Sequence, residues 1–284
     1  MLASMFSVRI MSAADLDLAV GWAADEGWNP GLDDAGIFRA ADPNGFLMGL
    51  VDGEPATCIS VVRYGEGFGF LGFYIARPVA RGKGYGLQTW RAGMKHLGDR
   101  IVGLDGVPAQ QDNYRKSGFV LAWRNVRFAG RAPKGATTRG PETLIDAREV
   151  PFDMLAALDR KFFPAARDGF LSAWTSAPGR HALVAMREGA AVGMGVARPC
   201  REGWKIGPLY ASSPEVADRL FTALCDRLDG APAFLDAPEP NAQAVRLAER
   251  YGFKPAFETA RMYKGGAPAV DLDHLFGVTS FELG

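Results

Sequence analysis

The segment Arg81-Gly82-Lys83-Gly84-Tyr85-Gly86 carries the most evident chemistry in this chain. It follows an apolar run, Phe68 to Ala76, that predicts a buried strand, and it leads into a predicted helix over Tyr85 to Leu97. Glycines let backbone N–H groups close around an anion, and the positive end of the helix faces the same point. Arg77, Arg81 and Lys83 add positive charge. The pattern predicts a phosphate-binding loop, and a turn carrying solvated bases is the alternative.

Spacing separates the known phosphate loops. A P-loop needs a glycine where Arg77 stands and a hydroxyl residue where Gly84 stands, so that class is excluded. A dinucleotide-binding turn needs a third glycine where Leu87 stands, but Asp105 does end a predicted strand 19 residues after Gly86. That turn remains as a weaker alternative. The spacing that the segment meets in full is Arg or Gln, two residues, Gly, one residue, Gly or Ala.

With Arg81, Gly84 and Gly86 at these positions, the sequence resembles the GCN5-related N-acetyltransferase (GNAT) superfamily. A second motif supports the resemblance, because Tyr114 lies four residues before the pair Gly118-Phe119, as in the terminal signature of that family. The resemblance covers roughly Phe6 to Gly130. It implies an N-acetyltransferase that moves an acetyl group to the amine of a small molecule or a peptide by direct attack in a ternary complex.

The resemblance also implies which residues bind the co-substrate acetyl-coenzyme A. In the family, the glycine-rich loop grips the diphosphate, and the strand before it splays from its neighbour so that pantetheine pairs with the exposed backbone. In this chain that strand is Gly72 to Ile75. The residues implied to bind the co-substrate are Phe73, Tyr74, Ile75, Arg81, Gly82, Lys83, Gly84, Tyr85 and Gly86.

Transfer from a thioester to an amine needs a donor for the developing oxyanion, a proton for the departing thiolate and an acceptor for the amine proton. Backbone N–H groups of the splayed strand are candidates for the first role, and Tyr114 for the second. A phenol of pKa about 10 protonates a thiolate of pKa about 8.5 uphill, by roughly 2 kcal/mol. Glu26 and Asp105 are the candidate bases. Glu26, Trp28 and Asn29 share one loop that predicts a wall of the acceptor site, with a helix connector as the alternative.

The chain contains an internal duplication. Gly53 and Gly189 each sit in a predicted hairpin turn, and the third strand of each unit ends at Ala76 or Ala211. A Gly-Phe pair before a last strand follows 42 residues after Ala76 and 41 residues after Ala211. Three landmarks at a nearly constant offset predict two copies of one fold.

Each copy predicts an α/β (α+β) domain, with a mixed, mostly antiparallel sheet flanked by helices. The boundary is predicted in a linker rich in Gly, Pro and Thr. We therefore expect an acetyltransferase domain over residues 1–130, a linker over 131–141 and a second domain over 142–284. The ending 271–283 alternates in a way that predicts one more short strand on the second sheet.

The second copy lacks the features that carry the resemblance. Residues 216–221, which correspond to the loop, contain no glycine, and Ala248 stands where the first copy has Tyr114. The asparagine that the family places seven residues before that Tyr is Val107 in the first copy and Asn241 in the second. We expect a degenerate copy that supports the first domain or helps to enclose its substrate.

Composition bounds the remaining classes. Lys plus Arg and Asp plus Glu are 32 each, so no net field attracts nucleic acid or an anionic membrane. The three cysteines and three histidines share no ligand spacing, which predicts buried free thiols and no metal site. No apolar run is long enough to span a bilayer, and residues 1–11 lack the apolar stretch of a signal peptide, which favours the cytoplasm. The duplication makes a pseudo-dimer, so a monomer is expected.

Two other classes of protein remain open at this stage. The first is a non-catalytic acyl-coenzyme A sensor or interaction module, which the degenerate second copy favours. The second is a nucleotide-dependent oxidoreductase that would use the glycine-rich turn.

Overall fold

The computed structural model describes residues 4–284. The first copy contains six strands and four helices: β1 (Phe6–Ile10), α1 (Ala13–Asp25), α2 (Asp34–Arg39), β2 (Phe46–Val51), β3 (Glu54–Tyr64), β4 (Phe68–Ala76), α3 (Tyr85–Leu97), β5 (Ile101–Gly106), α4 (Gln111–Lys116) and β6 (Val120–Arg131). The second copy repeats this order and adds a strand: β7 (Thr143–Asp146), α5 (Phe152–Asp159), α6 (Asp168–Ser176), β8 (His181–Arg187), β9 (Ala190–Pro199), β10 (Trp204–Ala211), α7 (Pro214–Asp226), β11 (Pro232–Pro238), α8 (Ala242–Arg250), β12 (Lys254–Lys264) and β13 (Leu275–Gly277).

Local sequence explains several of these boundaries. Ser12 caps α1 in a capping box with Asp15, in which each side chain accepts from the other residue's backbone N–H. The two hairpin-turn glycines have positive φ, +89° at Gly53 and +78° at Gly189, a conformation that favours glycine. The repeated order of strands and helices confirms the predicted α/β class and the predicted two copies of one fold.

All strands join in one sheet of order β1-β2-β3-β4-β5-β12-β6-β11-β10-β9-β8-β7, with β13 paired to β10. The last long strand of each copy has crossed to the other, because β12 pairs with β5 and β6 pairs with β11. The two crossed strands also pair with each other. The two predicted sheets are thus continuous, and each is completed by a strand of the other copy. The segment 132–142 between β6 and β7 forms no helix or strand, and the division of the chain there stays a prediction.

The two faces of the sheet are packed differently. On one face, helices of both copies share one aromatic core, in which Phe38 of α2 stacks on Trp174 of α6 and meets the edge of Phe73 of β4. On the other face, α3 and α4 cover one core and α7 and α8 cover a separate one. The shared core and the crossed strands fix the relative position of the two copies, and the site described below depends on that position.

The described part of the chain has no membrane-spanning helix, no metal-binding cluster and no disulfide bond. Residues 4–284 contain no helix with the length and apolar content needed to cross a bilayer. They contain no cluster of His, Cys, Asp and Glu side chains suited to a metal ion. The three cysteines are free and buried, as predicted.

Candidate active site

A cleft of about 480 Å³ opens where β4 and β5 separate. The two strands pair in parallel from Phe68 to Leu71, and the pairing stops opposite Leu104. Beyond that point β4 contains a bulge against β3, and Phe73 takes a positive φ of +46° there. A bulge leaves backbone groups outside the ladder and turns the strand. The splay expected from the sequence is therefore present, and its backbone borders the cleft.

The glycine-rich loop forms one end of this cleft. Gly82 and Gly84 have φ of +74° and +79°, and Gly84 is the N-cap of α3. The first backbone bond inside this helix runs from the Gln88 N–H to the Gly84 oxygen, at 3.2 Å. The N–H groups of the first turn before Gln88 are therefore available at the positive end of a helix dipole. This is the geometry that binds a phosphate.

The predicted co-substrate residues divide into two groups. Six of the nine line the cleft, and they are Tyr74, Ile75, Arg81, Gly82, Gly84 and Gly86. The side chain of Phe73 points into the shared aromatic core, and Tyr85 stacks on Phe6 with ring centroids 5.1 Å apart. Lys83 is exposed and lies outside the lining of the cleft. The first group is placed to touch a ligand, whereas the other side chains support the loop or face solvent.

Tyr114 reaches the same cleft from α4. Its side chain is 7% exposed, and its ring stacks on Trp90 of α3 at 5.7 Å between centroids. Its hydroxyl makes no hydrogen bond within residues 4–284, so it is available to a ligand. Burial raises the pKa of Tyr114 well above its ordinary value. The phenol therefore stays protonated at physiological pH, and in this state it can donate a hydrogen bond into the cleft.

Glu26 and Asp105 also line the cleft, but neither carboxylate is free. Glu26 pairs with Arg81, whose Nε donates to the Ala76 oxygen at 2.8 Å. This pair holds the glycine-rich loop against the end of α1. Asp105 receives two bonds from Arg261 of β12, at 2.8 and 2.6 Å, and a third from Asn125 at 2.8 Å. Both residues thus position other groups, and their predicted role as bases has no support in this geometry.

The loop that contains Trp28 and Asn29 contacts the second copy. The Trp28 carbonyl oxygen accepts from Arg127 at 3.0 Å and from Lys205 at 2.9 Å, and the Trp28 side chain lines the cleft. Asn29 forms a reciprocal pair of 2.9 Å bonds with the backbone of Glu202 and lines no part of the cleft. Trp28 therefore borders the cleft and Asn29 holds the loop in place, and the acceptor-binding role of this loop stays a prediction.

Substitution of Asp105 tests whether this residue acts as a general base or as the counter-ion of Arg261. We expect Asp105→Asn to lower the free energy of unfolding by about 3–5 kcal/mol, because it leaves the buried Arg261 guanidinium without its counter-ion. Asp112→Asn, which breaks an exposed pair with Arg115, should cost about 0–1 kcal/mol. Urea unfolding curves measure both values. Loss of turnover with unchanged stability in Asp105→Asn would instead restore Asp105 as a base.

The corresponding groove of the second copy is filled by the chain itself. Strands β10 and β11 separate after Ile206, as β4 and β5 do after Leu71. Strand β13 occupies this gap and pairs with β10 at Leu209 and Tyr210. The predicted final strand on the second sheet is thus confirmed, and it takes the place in which a pantetheine chain would pair.

Other features of the second copy agree with this replacement. Residues 216–221 lie inside α7 and form no loop. Asn241 caps α8 and donates to the oxygens of Asp273 and Leu275, which fixes the segment that leads into β13. His274 is half-exposed and pairs with Asp271, away from the cleft. The groove of the second copy is therefore filled by strand β13.

Comparisons with known proteins agree with the fold and the site. Residues 13–119 match the family model of the acetyltransferase (GNAT) family, and residues 155–277 match that of an acetyltransferase (GNAT) domain. The chain is 34% identical over 264 residues to a holothin acyltransferase from Pseudoalteromonas sp. (strain SANK 73390), which covers 93% of this chain and 89% of that protein. This chain belongs to the GNAT acetyltransferase family, and it is a tandem member of it. Proteins with this fold use acyl-coenzyme A.

Solved structures share the whole architecture. A Pyrococcus horikoshii protein assigned as an acetyltransferase matches 98% of this chain and 96% of its own, with a TM-score of 0.83 and 21% identity. A tandem GNAT protein from the clavulanic acid biosynthesis pathway matches 93% of this chain and 100% of its own, with a TM-score of 0.64 and 14% identity. At these identities the likeness establishes the fold. Membership of this family removes the reason for considering a dinucleotide-binding oxidoreductase.

Proposed function

We propose that the chain transfers an acetyl group from acetyl-coenzyme A to the primary amine of a small molecule or a peptide. The observation that carries this proposal is the convergence in one cleft of a splayed strand, a glycine-rich loop at a helix start and the Tyr114 side chain. The loop N–H groups suit a diphosphate, the splayed strand suits a pantetheine arm, and the Tyr114 hydroxyl suits a departing thiolate. The relative named as a holothin acyltransferase supports acyl transfer by this chain. The acceptor of that relative is not carried over to this chain.

Each group has a role in direct transfer within a ternary complex. The loop N–H groups and Arg81 hold the diphosphate, and the bulged part of β4 presents backbone N–H groups to the thioester oxygen as negative charge develops. Tyr114 donates to the sulfur. Holding the amine and the thioester together supplies part of the acceleration without any further group.

Acceptor screening tests this proposal. The protein should release free thiol from acetyl-coenzyme A in the presence of at least one member of a library of amines, and Gly84→Asp should not. Parallel assays with longer acyl-coenzyme A donors show which acyl chain lengths the cleft accepts. Coenzyme A binding without thioester consumption across the whole library would contradict catalysis and favour a sensor.

A further inference from the structure

A second, smaller cavity of about 30 Å³ lies between the two copies and adjoins the cleft. The two cavities share Trp28, Asp105 and Val107 as walls. The other walls of the small cavity come largely from the crossed strand β12 and from the last residues of the chain. A volume of this size holds an amino group with a carbon or two, and the rest of an acceptor would extend into the cleft.

Two buried polar side chains face the small cavity without a partner. Glu282 is 4% exposed, and its side chain makes no hydrogen bond or ion pair with any of residues 4–284. Thr259 is 2% exposed, and its hydroxyl is likewise unpaired within those residues. An unpaired buried carboxylate is costly, on the order of several kcal/mol, unless a ligand satisfies it. Both groups accept a hydrogen bond from an N–H donor.

The backbone fixes Glu282 beside the splayed strand. A Cβ placed on Gly72 of β4 would lie 2.2 Å from the backbone carbonyl oxygen of Glu282, so this close approach requires glycine. The Tyr64 hydroxyl donates to the Leu283 oxygen at 3.0 Å, and the Leu283 N–H donates to the Ser280 hydroxyl at 3.1 Å. Gly72 itself lines the cleft. Glu282 is therefore held on a rigid support at the edge of the place where the thioester would lie.

The charges around this cavity are nearly balanced. Arg127 is paired with Asp236, and Asp105 is paired with Arg261. Arg198, whose charge also interacts with that of Glu282, is paired with Asp34. Lys205 bonds only to the Trp28 oxygen within residues 4–284, and it is the basic group without a carboxylate partner that offsets Glu282. A ligand that brings several positive charges would break this balance inside a buried site. The balance favours an acceptor with one amino group and no further charge.

The aromatic walls favour an apolar carbon beside the amino group, and Trp28 and Val107, which line both cavities, favour an apolar body where the acceptor passes into the cleft. Phe257 and Phe281 pack with ring centroids 6.3 Å apart, and both line the small cavity together with Trp28. Aromatic faces attract both apolar groups and an ammonium group. An amino sugar would leave hydroxyl groups unpaired against Trp28 and Val107, where the small cavity opens into the cleft.

Building on the proposed function, we propose that Glu282 and Thr259 bind the amino group of a compact, apolar monoamine. The amine nitrogen attacks the thioester carbon, so that an N–C bond forms and the C–S bond breaks. Glu282 takes the proton that leaves the nitrogen, and Tyr114 supplies the proton that the sulfur gains. The products are an amide and free coenzyme A, and solvent returns the proton from Glu282 to Tyr114.

The test uses benzylamine as the probe and Glu282→Gln as the variant, with the exposed Glu258→Gln on β12 as the matched control. We expect benzylamine to bind the coenzyme A-saturated protein, and Glu282→Gln to weaken that binding at least 10-fold and to lower kcat/KM for benzylamine at least 30-fold. The Kd of acetyl-coenzyme A should change less than threefold, and Glu258→Gln should resemble the wild type. Calorimetry and thiol release measure these quantities.

Each contrary result has a distinct meaning. Absence of benzylamine binding to the wild type, or equal binding and kcat/KM in Glu282→Gln, overturns the assignment of Glu282 while leaving acetyl-coenzyme A binding intact. Binding of spermidine or glucosamine at least 10-fold tighter than benzylamine overturns the class of acceptor. Absence of acetyl-coenzyme A binding to the wild type overturns the proposed function itself. Thr259→Val gives an independent check, with an expected loss of benzylamine affinity of at least threefold.

Discussion

Gly84→Asp should weaken binding of acetyl-coenzyme A at least 100-fold and remove measurable turnover. Gly84 has a φ of +79° at the start of α3, where an L-residue is strained by about 1 kcal/mol. The new carboxylate would also face the diphosphate at the helix end that favours anions. A 100-fold loss corresponds to about 2.7 kcal/mol, which charge repulsion and displacement of the strained loop from its binding conformation together supply. Calorimetric titration of the variant measures the loss.

Gly189→Asp is a matched control for this substitution. Gly189 has nearly the same φ, +78°, and at both glycines an added Cβ would have no other atom within 4 Å. It lies in the hairpin turn of the second copy, away from the cleft. Its variant should lose comparable stability and keep wild-type affinity. Equal affinities in Gly84→Asp and the wild type would remove the loop from the binding site.

Tyr114→Phe should slow turnover by about 10- to 10⁴-fold while the Kd of acetyl-coenzyme A stays near the wild-type value. The phenyl ring keeps the packing against Trp90, so the change removes only the hydroxyl that faces the cleft. Because burial raises the pKa of Tyr114, full proton transfer to the sulfur is less favourable than for a phenol in water. The effect is therefore expected mainly on kcat.

Tyr251→Phe is the control for loss of a hydroxyl. Tyr251 follows α8 in the second copy, and its hydroxyl donates to Asp218 at 2.9 Å, remote from the cleft. This variant should lose some stability and retain kcat. A kcat in Tyr114→Phe equal to that of the wild type would exclude Tyr114 from the reaction, and its role would then be packing beside α3.

Much of the fold was predictable because its signals are local. The sequence predicted a helix over Tyr85 to Leu97, and α3 spans these residues. The glycine-rich loop was identifiable from the sequence because the positive φ at Gly82 and Gly84 favours glycine at both positions. Local signals do not specify which strands pair across the duplication. Either copy of a repeated strand can complete either sheet, so the crossing of β6 and β12 was not predictable.

The same limit applies to the site. Tyr114 was found because its motif is local, with Tyr114 in α4 only four residues before the pair Gly118-Phe119. Asp105 and Glu26 were predicted as candidate bases, and the sequence did not show their partners Arg261 and Arg81, which lie 156 and 55 residues away. The proposed role of Glu282 could not be predicted from the sequence, because nothing in the alternation of residues 271–283 shows that this segment lies against Gly72.

The most direct test of the acyltransferase assignment is a calorimetric titration of the wild-type protein with acetyl-coenzyme A. The cleft at the β4–β5 splay should give one binding site per chain, since β13 fills the corresponding groove of the second copy, and NAD should give no heat. Absence of binding at millimolar acetyl-coenzyme A, or binding unaffected by Gly84→Asp, would contradict the assignment of residues 81–86 as the diphosphate site.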